Sequence, residues 1–291
     1  PAPAGSINCH IQLSANTETQ PLKHTWRNVM TVGSASDLLT ADVQKMVTRM
    51  RQEIGFQYIK FNGILSDELH VYNQTPDGKP VYNFAYIDKV FDFLMSVGLK
   101  PMIQLSFMPA LLAKDPQRRL FNYLVSEPAS LSGWSKLVKA VVSHLLSRYG
   151  DAVYGWHFCV WTQPDTPTDL YGFSTTEAFY AFYESTYRAV KECDKALSFG
   201  TPPTYYIVET GYTNWYIPFL AWCQKNGCLP DFLNFYYYDT TLNDQRGGKD
   251  SIFGFVHSMT LRDTPEGFRD FVNQVRSERE QLGLKKLPIF L

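Results

Sequence analysis

Residues 155–164 read Gly-Trp-His-Phe-Cys-Val-Trp-Thr-Gln-Pro, an apolar run that ends in two polar side chains and a proline. A short run of aromatic and apolar residues of this kind predicts a buried strand, Gly155–Trp161. Segments of helical periodicity lie on both sides of it, at Leu131–Tyr149 and Thr175–Asp194. Strands and helices that alternate along a chain are typical of βα units around a parallel sheet.

The same alternation extends over the whole chain of 291 residues. The other predicted strands are Ile7–Leu13, Tyr58–Asn62, Pro101–Phe107, Leu197–Gly200, Phe232–Tyr238 and Pro288–Leu291. The other predicted helices are Thr40–Ile54, Tyr86–Val97, Trp215–Lys225 and Pro265–Leu282. Several helices are followed at once by glycine, a typical helix stop. The pattern predicts one α/β domain over residues 1–291, a (β/α)8 TIM-type barrel with seven strands visible. Because a closed barrel has no edges, we expect the eighth strand to be missing or supplied by absent residues.

Composition excludes several classes of protein. The chain is 45% hydrophobic and 19% charged, as in soluble globular proteins. Its net charge of −1, without a basic patch, is evidence against direct nucleic-acid binding. No apolar run approaches the roughly 20 residues that span a bilayer, so no membrane contact is expected. Aromatic residues make up 15% of the chain, which suits either a packed core or the stacking of sugar rings.

The cysteines and the first residues predict a cytoplasmic protein. There are five cysteines, an odd number, and no two have the C-x-x-C spacing of a zinc or redox pair. We expect all five to be reduced. The opening Pro-Ala-Pro-Ala-Gly-Ser-Ile-Asn has no charged or apolar region of a secretion signal and suggests a piece of a longer polypeptide. No cluster has metal-ligand spacing and no glycine-rich phosphate loop occurs, so neither a metal nor a cofactor is predicted.

The ends of the predicted strands are where a barrel of this type places its active site. Strand two ends in Phe61-Asn62-Gly63-Ile64, and strand three in Phe107-Met108-Pro109. Strand four ends in Trp161-Thr162-Gln163-Pro164, and strand six in Asn234-Phe235-Tyr236-Tyr237-Tyr238. With these four stretches in order, nearly the whole chain resembles family 39 of the glycoside hydrolases, which includes β-xylosidases and α-iduronidase.

The resemblance implies a retaining glycosidase, but the catalytic positions depart from the family pattern. Gln163 stands where the family has its proton-donating glutamate, and the family's nucleophile would follow strand seven, beyond the end of this chain. Neighbouring positions differ as well, with Thr162 for asparagine, Lys60 for arginine, and Asn62 and Tyr236 for histidines. An amide can donate a hydrogen bond but cannot transfer a proton, so no catalytic residue is expected to be intact.

Three carboxylates near strand ends could substitute for the missing acid, Asp67, Asp165 and Glu209, but loop capping explains each of them more simply. Asp231 opens strand six at the other end of the barrel, which indicates a structural role. His24 and Trp26, after the first predicted strand, are further candidates for the barrel mouth.

A sugar can still be bound without proton transfer. The predicted sugar-binding residues combine rings, hydroxyls and amides: Asn62, Phe107, Trp161, Gln163, Tyr236 and Tyr238. The alternative is that these rings merely plug the mouth of an inactive barrel.

Three functional hypotheses follow. The first is a non-catalytic sugar-sensing or structural module of an AraC-type transcriptional regulator, which would reach DNA only through a domain absent from this chain. The second is a fragment or acid/base mutant of an active retaining β-xylosidase. The third is a scaffold that holds a homodimer together and binds no sugar. A small pentose or xylo-oligosaccharide is the expected ligand in the first two.

Overall fold

The computed structural model describes residues 10–12, 14, 19, 21–166, 171–205, 215–238, 240–242, 259–261 and 266–290. The strands, numbered along the chain, are β1 Val29–Ser34, β2 Tyr58–Asn62, β3 Tyr72–Gln74, β4 Pro80–Tyr82, β5 Lys100–Leu105, β6 Arg119–Leu120, β7 Tyr123–Leu124, β8 His157–Val160, β9 Ser198–Phe199, β10 Thr204–Tyr205, β11 Leu233–Tyr236, β12 Thr240–Leu242, β13 Met259–Leu261 and β14 Ile289–Phe290. The helices are α1 Ala41–Glu53, α2 Ala85–Ser96, α3 Leu131–Tyr149, α4 Thr176–Cys193, α5 Tyr216–Asn226 and α6 Gly267–Gln281.

A curved parallel wall forms the centre of the molecule. Its first part has the order β1-β2-β5-β8-β9, and its second part has the order β10-β11-β14. Two backbone hydrogen bonds join the parts, Asp231 N–H to Phe199 O at 2.8 Å and Thr201 N–H to Phe232 O at 3.0 Å. The described wall therefore has seven strand positions, with β9 and β10 sharing the fifth, and six of the seven overlap predicted strands.

The first strand differs from the prediction. Residues 10–12, inside the expected strand Ile7–Leu13, are exposed and belong to no strand, and the rest of that segment lies outside the described residues. The first strand is instead β1, whose Val29 and Met30 pair in parallel with Tyr58 and Ile59 of β2. The prediction was wrong because both segments are locally strand-like, and only pairing with β2 distinguishes them.

The helices agree with the sequence prediction because residues next to each helix end determine where the helix begins and ends. The Ser130 side chain accepts a hydrogen bond from Gly133 N–H at the start of α3, and Thr175 caps α4 through Ala178 N–H in the same way. After α5, Gly227 has the left-handed backbone that suits glycine at a helix stop. The aromatic stripe of α4 packs on the barrel, with Tyr183 5.6 Å from Phe199 between ring centroids.

Strand alternation fills the barrel in layers. The layer at the amino-terminal ends, here called the floor, consists of Tyr58, His157, Phe232 and Phe290, whose ring centroids lie 4.9–5.1 Å apart in the contacting pairs. Two residues farther along β2, Lys60 forms the middle layer with Cys159 and Asn234. Two residues farther again, side chains reach the carboxyl-terminal ends of the strands, here called the mouth.

Candidate functional site

A pocket of about 280 Å³ opens at the barrel mouth. Its size lies just below the roughly 300–1,000 Å³ of typical small-molecule sites, so it suits a small ligand. The lining residues come from the ends of several strands and from the loops that follow them: Thr31, Val32, Gly33, Asn62, Gln104, Phe107, Leu120, Phe121, Tyr123, Val125, Thr162, Gln163, Tyr171, Tyr236 and Tyr238. No charged side chain is among these described residues.

The structure brings five of the six predicted sugar-binding residues to this one pocket: Asn62, Phe107, Gln163, Tyr236 and Tyr238. They come from four different strand ends, so the curvature of the parallel wall brings them together. Their role in binding a sugar stays a prediction.

Trp161 is the exception. Its side chain is fully buried and does not line the pocket. The indole N–H donates to Tyr171 O at 2.9 Å, and the ring packs edge-on against Phe173 and Phe182 on the helix side of the wall. Alternation along β8 would direct Trp161 inward with His157 and Cys159, but its φ of 61° reverses that direction. Trp161 is therefore not available to stack on a sugar.

Gln163 is held in a defined orientation. Its φ of 47° is unusual for a residue with a side chain, and its backbone N–H donates to Pro203 O at 2.7 Å. The Tyr171 hydroxyl donates to Oε1 of Gln163 at 2.6 Å. No described residue accepts a hydrogen bond from the Nε2 group, which leaves this donor available to a ligand.

A chain of hydrogen bonds fixes Tyr236. Its hydroxyl donates to Oε1 of Gln104 at 3.3 Å, and Nε2 of Gln104 donates to Trp161 O at 3.1 Å. Burial raises the pKa of the Tyr236 hydroxyl well above its usual value, against smaller opposing effects of Thr162 and Gln104. The hydroxyl therefore stays protonated at neutral pH.

Gln104 was missed by the sequence analysis, although its strand end was read. The available signal was its position on β5, two residues beyond the inward-facing Met102 at a strand's carboxyl end.

Asn62 differs from Gln104, whose amide group is hydrogen-bonded at both its oxygen and its nitrogen. The Oδ1 atom of Asn62 is buried and has no hydrogen-bond partner among the described residues. A buried acceptor without a partner is costly, so Asn62 is suited to accept a hydrogen bond from a ligand.

Lys60 lies directly below the pocket. Its Nζ donates to Oδ1 of Asn234 at 3.0 Å and lies 4.0 Å from the ring centroid of Tyr236. Burial lowers the pKa of Lys60 to about 8, with the neighbouring Cys159 acting in the opposite direction. Burial likewise raises the pKa of the Cys159 thiol to about 12, so this thiol is neutral. Among the described residues, no carboxylate forms an ion pair with Lys60.

Two of the carboxylates near the strand ends, Asp67 and Asp231, serve the fold. Asp67 accepts from Ala110 N–H at 3.1 Å, so it caps a short turn. Asp231 accepts from Phe199 N–H and from Lys191 Nζ, both at 2.7 Å, which confirms its structural role. Asp165 is buried and does not line the pocket, and Glu209 lies outside the described residues.

His24 and Trp26 precede β1, so they lie at the floor end of the barrel and not at its mouth. The expectation that they follow the first strand was wrong because that strand is β1. Within the described ranges, no three metal-binding side chains cluster closely enough to hold an ion, and no helix has the length and apolarity to cross a membrane. The four described cysteines are free, and Cys9 lies outside the described residues.

Comparison with known proteins identifies the family. The model of Glycosyl hydrolases family 39 matches residues 9–285. The chain belongs to this family. A curated β-xylosidase from Caldicellulosiruptor saccharolyticus is 35% identical over 216 residues, which is 72% of this chain and 43% of the relative. One from Geobacillus stearothermophilus is 28% identical over 277 residues, 94% of this chain and 53% of the relative. The family 39 chain thus spans about half the length of these relatives.

Solved structures confirm the fold class. A monomeric β-xylosidase from Caulobacter crescentus matches 93% of this family 39 chain and 52% of its own, with a TM-score of 0.79 and 29% identity. The family 39 enzyme from Xanthomonas axonopodis pv. citri matches 94% of this chain and 51% of its own, with a TM-score of 0.80 and 25% identity. The prediction of a (β/α)8 TIM-type barrel is therefore correct.

These relatives correct the first functional hypothesis. They are named β-xylosidases at moderate identity, and nothing in them indicates a non-catalytic module of an AraC-type regulator. The hypothesis was wrong because it gave the changed site positions more weight than the resemblance of the whole barrel. The β-xylosidase alternative agrees better with the relatives. The cytoplasmic location and the homodimer stay predictions.

Proposed function

We propose that this family 39 barrel belongs to a β-xylosidase-like glycoside hydrolase, altered at its acid/base position, whose pocket binds a β-xyloside or a short xylo-oligosaccharide. The observation that carries the proposal is the position of Gln163. By resemblance it stands at the family's proton-donor position, and it lines a pocket that has no charged side chain among its described residues. No described residue accepts a hydrogen bond from its Nε2 group.

The polar groups of the pocket suit a neutral sugar. A pentose offers several hydroxyls, each both donor and acceptor, and the pocket provides the Asn62 acceptor, the Gln163 donor and the Tyr236 hydroxyl. Phe107 adds an apolar surface, and its own ring is fixed by stacking on Tyr123 at 4.4 Å between centroids.

Chemistry in this pocket depends on the group at position 163. A retaining glycosidase uses one carboxylic acid to protonate the leaving oxygen and one carboxylate as the nucleophile. Gln163 can only donate a hydrogen bond to that oxygen, so it stabilises a bound glycoside without assisting bond cleavage. We propose that the nucleophile comes from outside the described residues.

The test compares Gln163→Glu with the unaltered full-length protein on two aryl xylosides. A substrate with a poor leaving group needs protonation, so we expect hydrolysis to rise by roughly 10²–10⁴-fold, the usual contribution of general acid catalysis. Dinitrophenolate leaves without protonation, so we expect the hydrolysis of a dinitrophenyl xyloside to rise far less in Gln163→Glu. Gln163→Ala is the matched control, because it removes the amide without adding an acid.

The binding half of the proposal is tested separately. Titration calorimetry with xylose and xylobiose should give saturable binding to the unaltered protein. A folded Gln163→Glu protein that neither hydrolyses either substrate above the buffer rate nor binds either sugar would contradict the proposal.

A further inference from the structure

Helix α5 ends in a tight turn that brings two cysteines together. Gly227 has a φ of 67°, and its N–H donates to Gln224 O at 3.4 Å. The next residue, Cys228, donates its N–H to Cys223 O at 3.0 Å. These two backbone hydrogen bonds form a Schellman motif, in which the side chains on the two sides of the turn commonly contact each other. Here those side chains are Cys223 and Cys228, both free thiols in the structure.

The turn holds the two cysteines within the range of a disulfide. A hydrogen bond of 3.0 Å between Cys228 N and Cys223 O keeps their Cα atoms within about 7 Å, roughly the upper limit for a disulfide. Both side chains are fully buried. A hydrogen bond between the thiols lowers the pKa of Cys228, while burial and that same hydrogen bond raise the pKa of Cys223. The two sulfur atoms therefore face each other beneath the turn.

A pair of thiols without a third ligand suits a disulfide better than a metal ion. Within the described ranges, no group of three histidine, cysteine or carboxylate side chains is close enough to hold an ion. Tetrahedral metal sites in proteins use three or four such ligands, whereas a disulfide needs only the two sulfur atoms.

The thiols are covered only by the turn itself on one side. Gln224, Lys225 and Gly227 are exposed, and Gly227 has open space around it where a side chain would be. Helix ends open locally at a lower free energy than core strands do. A small reagent can therefore reach the thiols when the turn opens, without unfolding of the barrel.

We propose that Cys223 and Cys228 form a disulfide that closes this turn when the protein meets a low-molecular-weight disulfide such as oxidised glutathione. The Cys228 thiolate attacks the reagent, so a mixed disulfide forms and one glutathione thiolate leaves. Cys223 then loses its proton and attacks the Cys228 sulfur, which releases the second glutathione thiolate. The protons of the two cysteines end on the two glutathiones, so each protein disulfide consumes one oxidised glutathione and yields two reduced ones.

The disulfide would join the last turn of α5 to the segment that enters β11, far from the sugar pocket. The inference therefore does not depend on the proposed function. A crosslink restricts the unfolded chain, so we expect the oxidised protein to be more stable than the reduced one.

The experiment treats the folded full-length protein with oxidised glutathione, blocks the remaining thiols and digests the product with trypsin under non-reducing conditions. Lys225 lies between the two cysteines, so trypsin separates them into peptides 196–225 and 226–246. We expect mass spectrometry to find these two peptides linked until a reductant is added. The melting temperature of the oxidised protein should rise by roughly 2–6 °C and return on reduction.

Two variants separate disulfide formation from simple exposure of a thiol. In Cys223→Ser the second thiol is missing, so Cys228 should keep one bound glutathione and the melting temperature should not rise. Cys193→Ser is the matched control, because Cys193 lies half-buried on α4 with its thiol 3.3 Å from Ala189 O, and the linked peptides should form as before.

The result on the unaltered protein decides the proposal even if a variant fails to fold. Peptides 196–225 and 226–246 that stay unlinked after prolonged oxidation, or that link only to peptides with other cysteines, would refute the pairing of Cys223 with Cys228.

Discussion

The two ends of the barrel are built from similar residue types. They differ in how completely the side chains are packed and hydrogen-bonded, and in how strained the backbone is. At the floor, four rings pack against one another, and His157 Nδ1 lies 2.9 Å from Ser198 Oγ. At the mouth, Asn62 Oδ1 is buried without a described partner, and both Trp161 and Gln163 have positive φ values. Completed packing and hydrogen bonding stabilise the floor. Unsatisfied and strained groups at the mouth are typical of a binding site.

The largest expected effect is the loss of a floor ring. Phe232 is buried, and its ring contacts His157 and Phe290. Phe232→Ala should lower the free energy of unfolding by about 3–5 kcal/mol, because it leaves a cavity that its neighbours fill only in part. Urea denaturation measures this change. A loss below about 1 kcal/mol would show that the floor is not the stabilising end.

Acid should destabilise the floor next most strongly. Burial is the main cause that lowers the pKa of His157 from the usual 6.5 to about 4, and the nearby Lys100 adds to it. Between these values the unfolded chain binds a proton that the folded chain does not, so stability falls as pH falls from 6.5 towards 4. The full difference corresponds to about 3 kcal/mol, at 1.36 kcal/mol per pH unit. Unfolding free energies at pH 7 and pH 4.5 should show a smaller drop in His157→Phe than in the unaltered protein.

The middle layer should respond to alkali. The pKa of Lys60, lowered to about 8, means that the folded protein loses this proton before the unfolded chain, whose lysine titrates near 10.5. Stability therefore gains a contribution from Lys60 as pH rises from about 8 to 10.5. Lys60→Met lacks this contribution, so its stability relative to the unaltered protein should fall by about 3 kcal/mol across that range. Parallel curves for the two proteins would contradict the assignment.

The smallest effect on stability is expected at the mouth. Asn62→Ala removes an acceptor that has no partner among the described residues, so the free energy of unfolding should change by less than about 1 kcal/mol. The same substitution should weaken xylose binding by about tenfold, the usual cost of a lost ligand hydrogen bond. A variant that is strongly destabilised but binds xylose normally would reverse the contrast between the two ends.

Local sequence determined the helices and most of the strands. The caps Ser130 and Thr175 and the stop Gly227 act within a few residues of the chain, so they are readable without the fold. The positions of Asn62, Gln163 and Tyr236 at strand ends also followed from sequence, because parallel strands of a barrel all present their carboxyl ends at one mouth.

Tertiary structure alone decided which segment is the first strand and where the strand-end side chains point. The first strand is Val29–Ser34 because this segment pairs with β2. The two paired segments lie some thirty residues apart in sequence, so no local pattern encodes the contact. The left-handed backbone at Trp161 accompanies a long-range hydrogen bond, from its N–H to Leu105 O at 3.3 Å, and this turned the predicted stacking residue into core. The exposed position of Phe121 in the pocket lining was equally hidden, because it depends on the turn between β6 and β7.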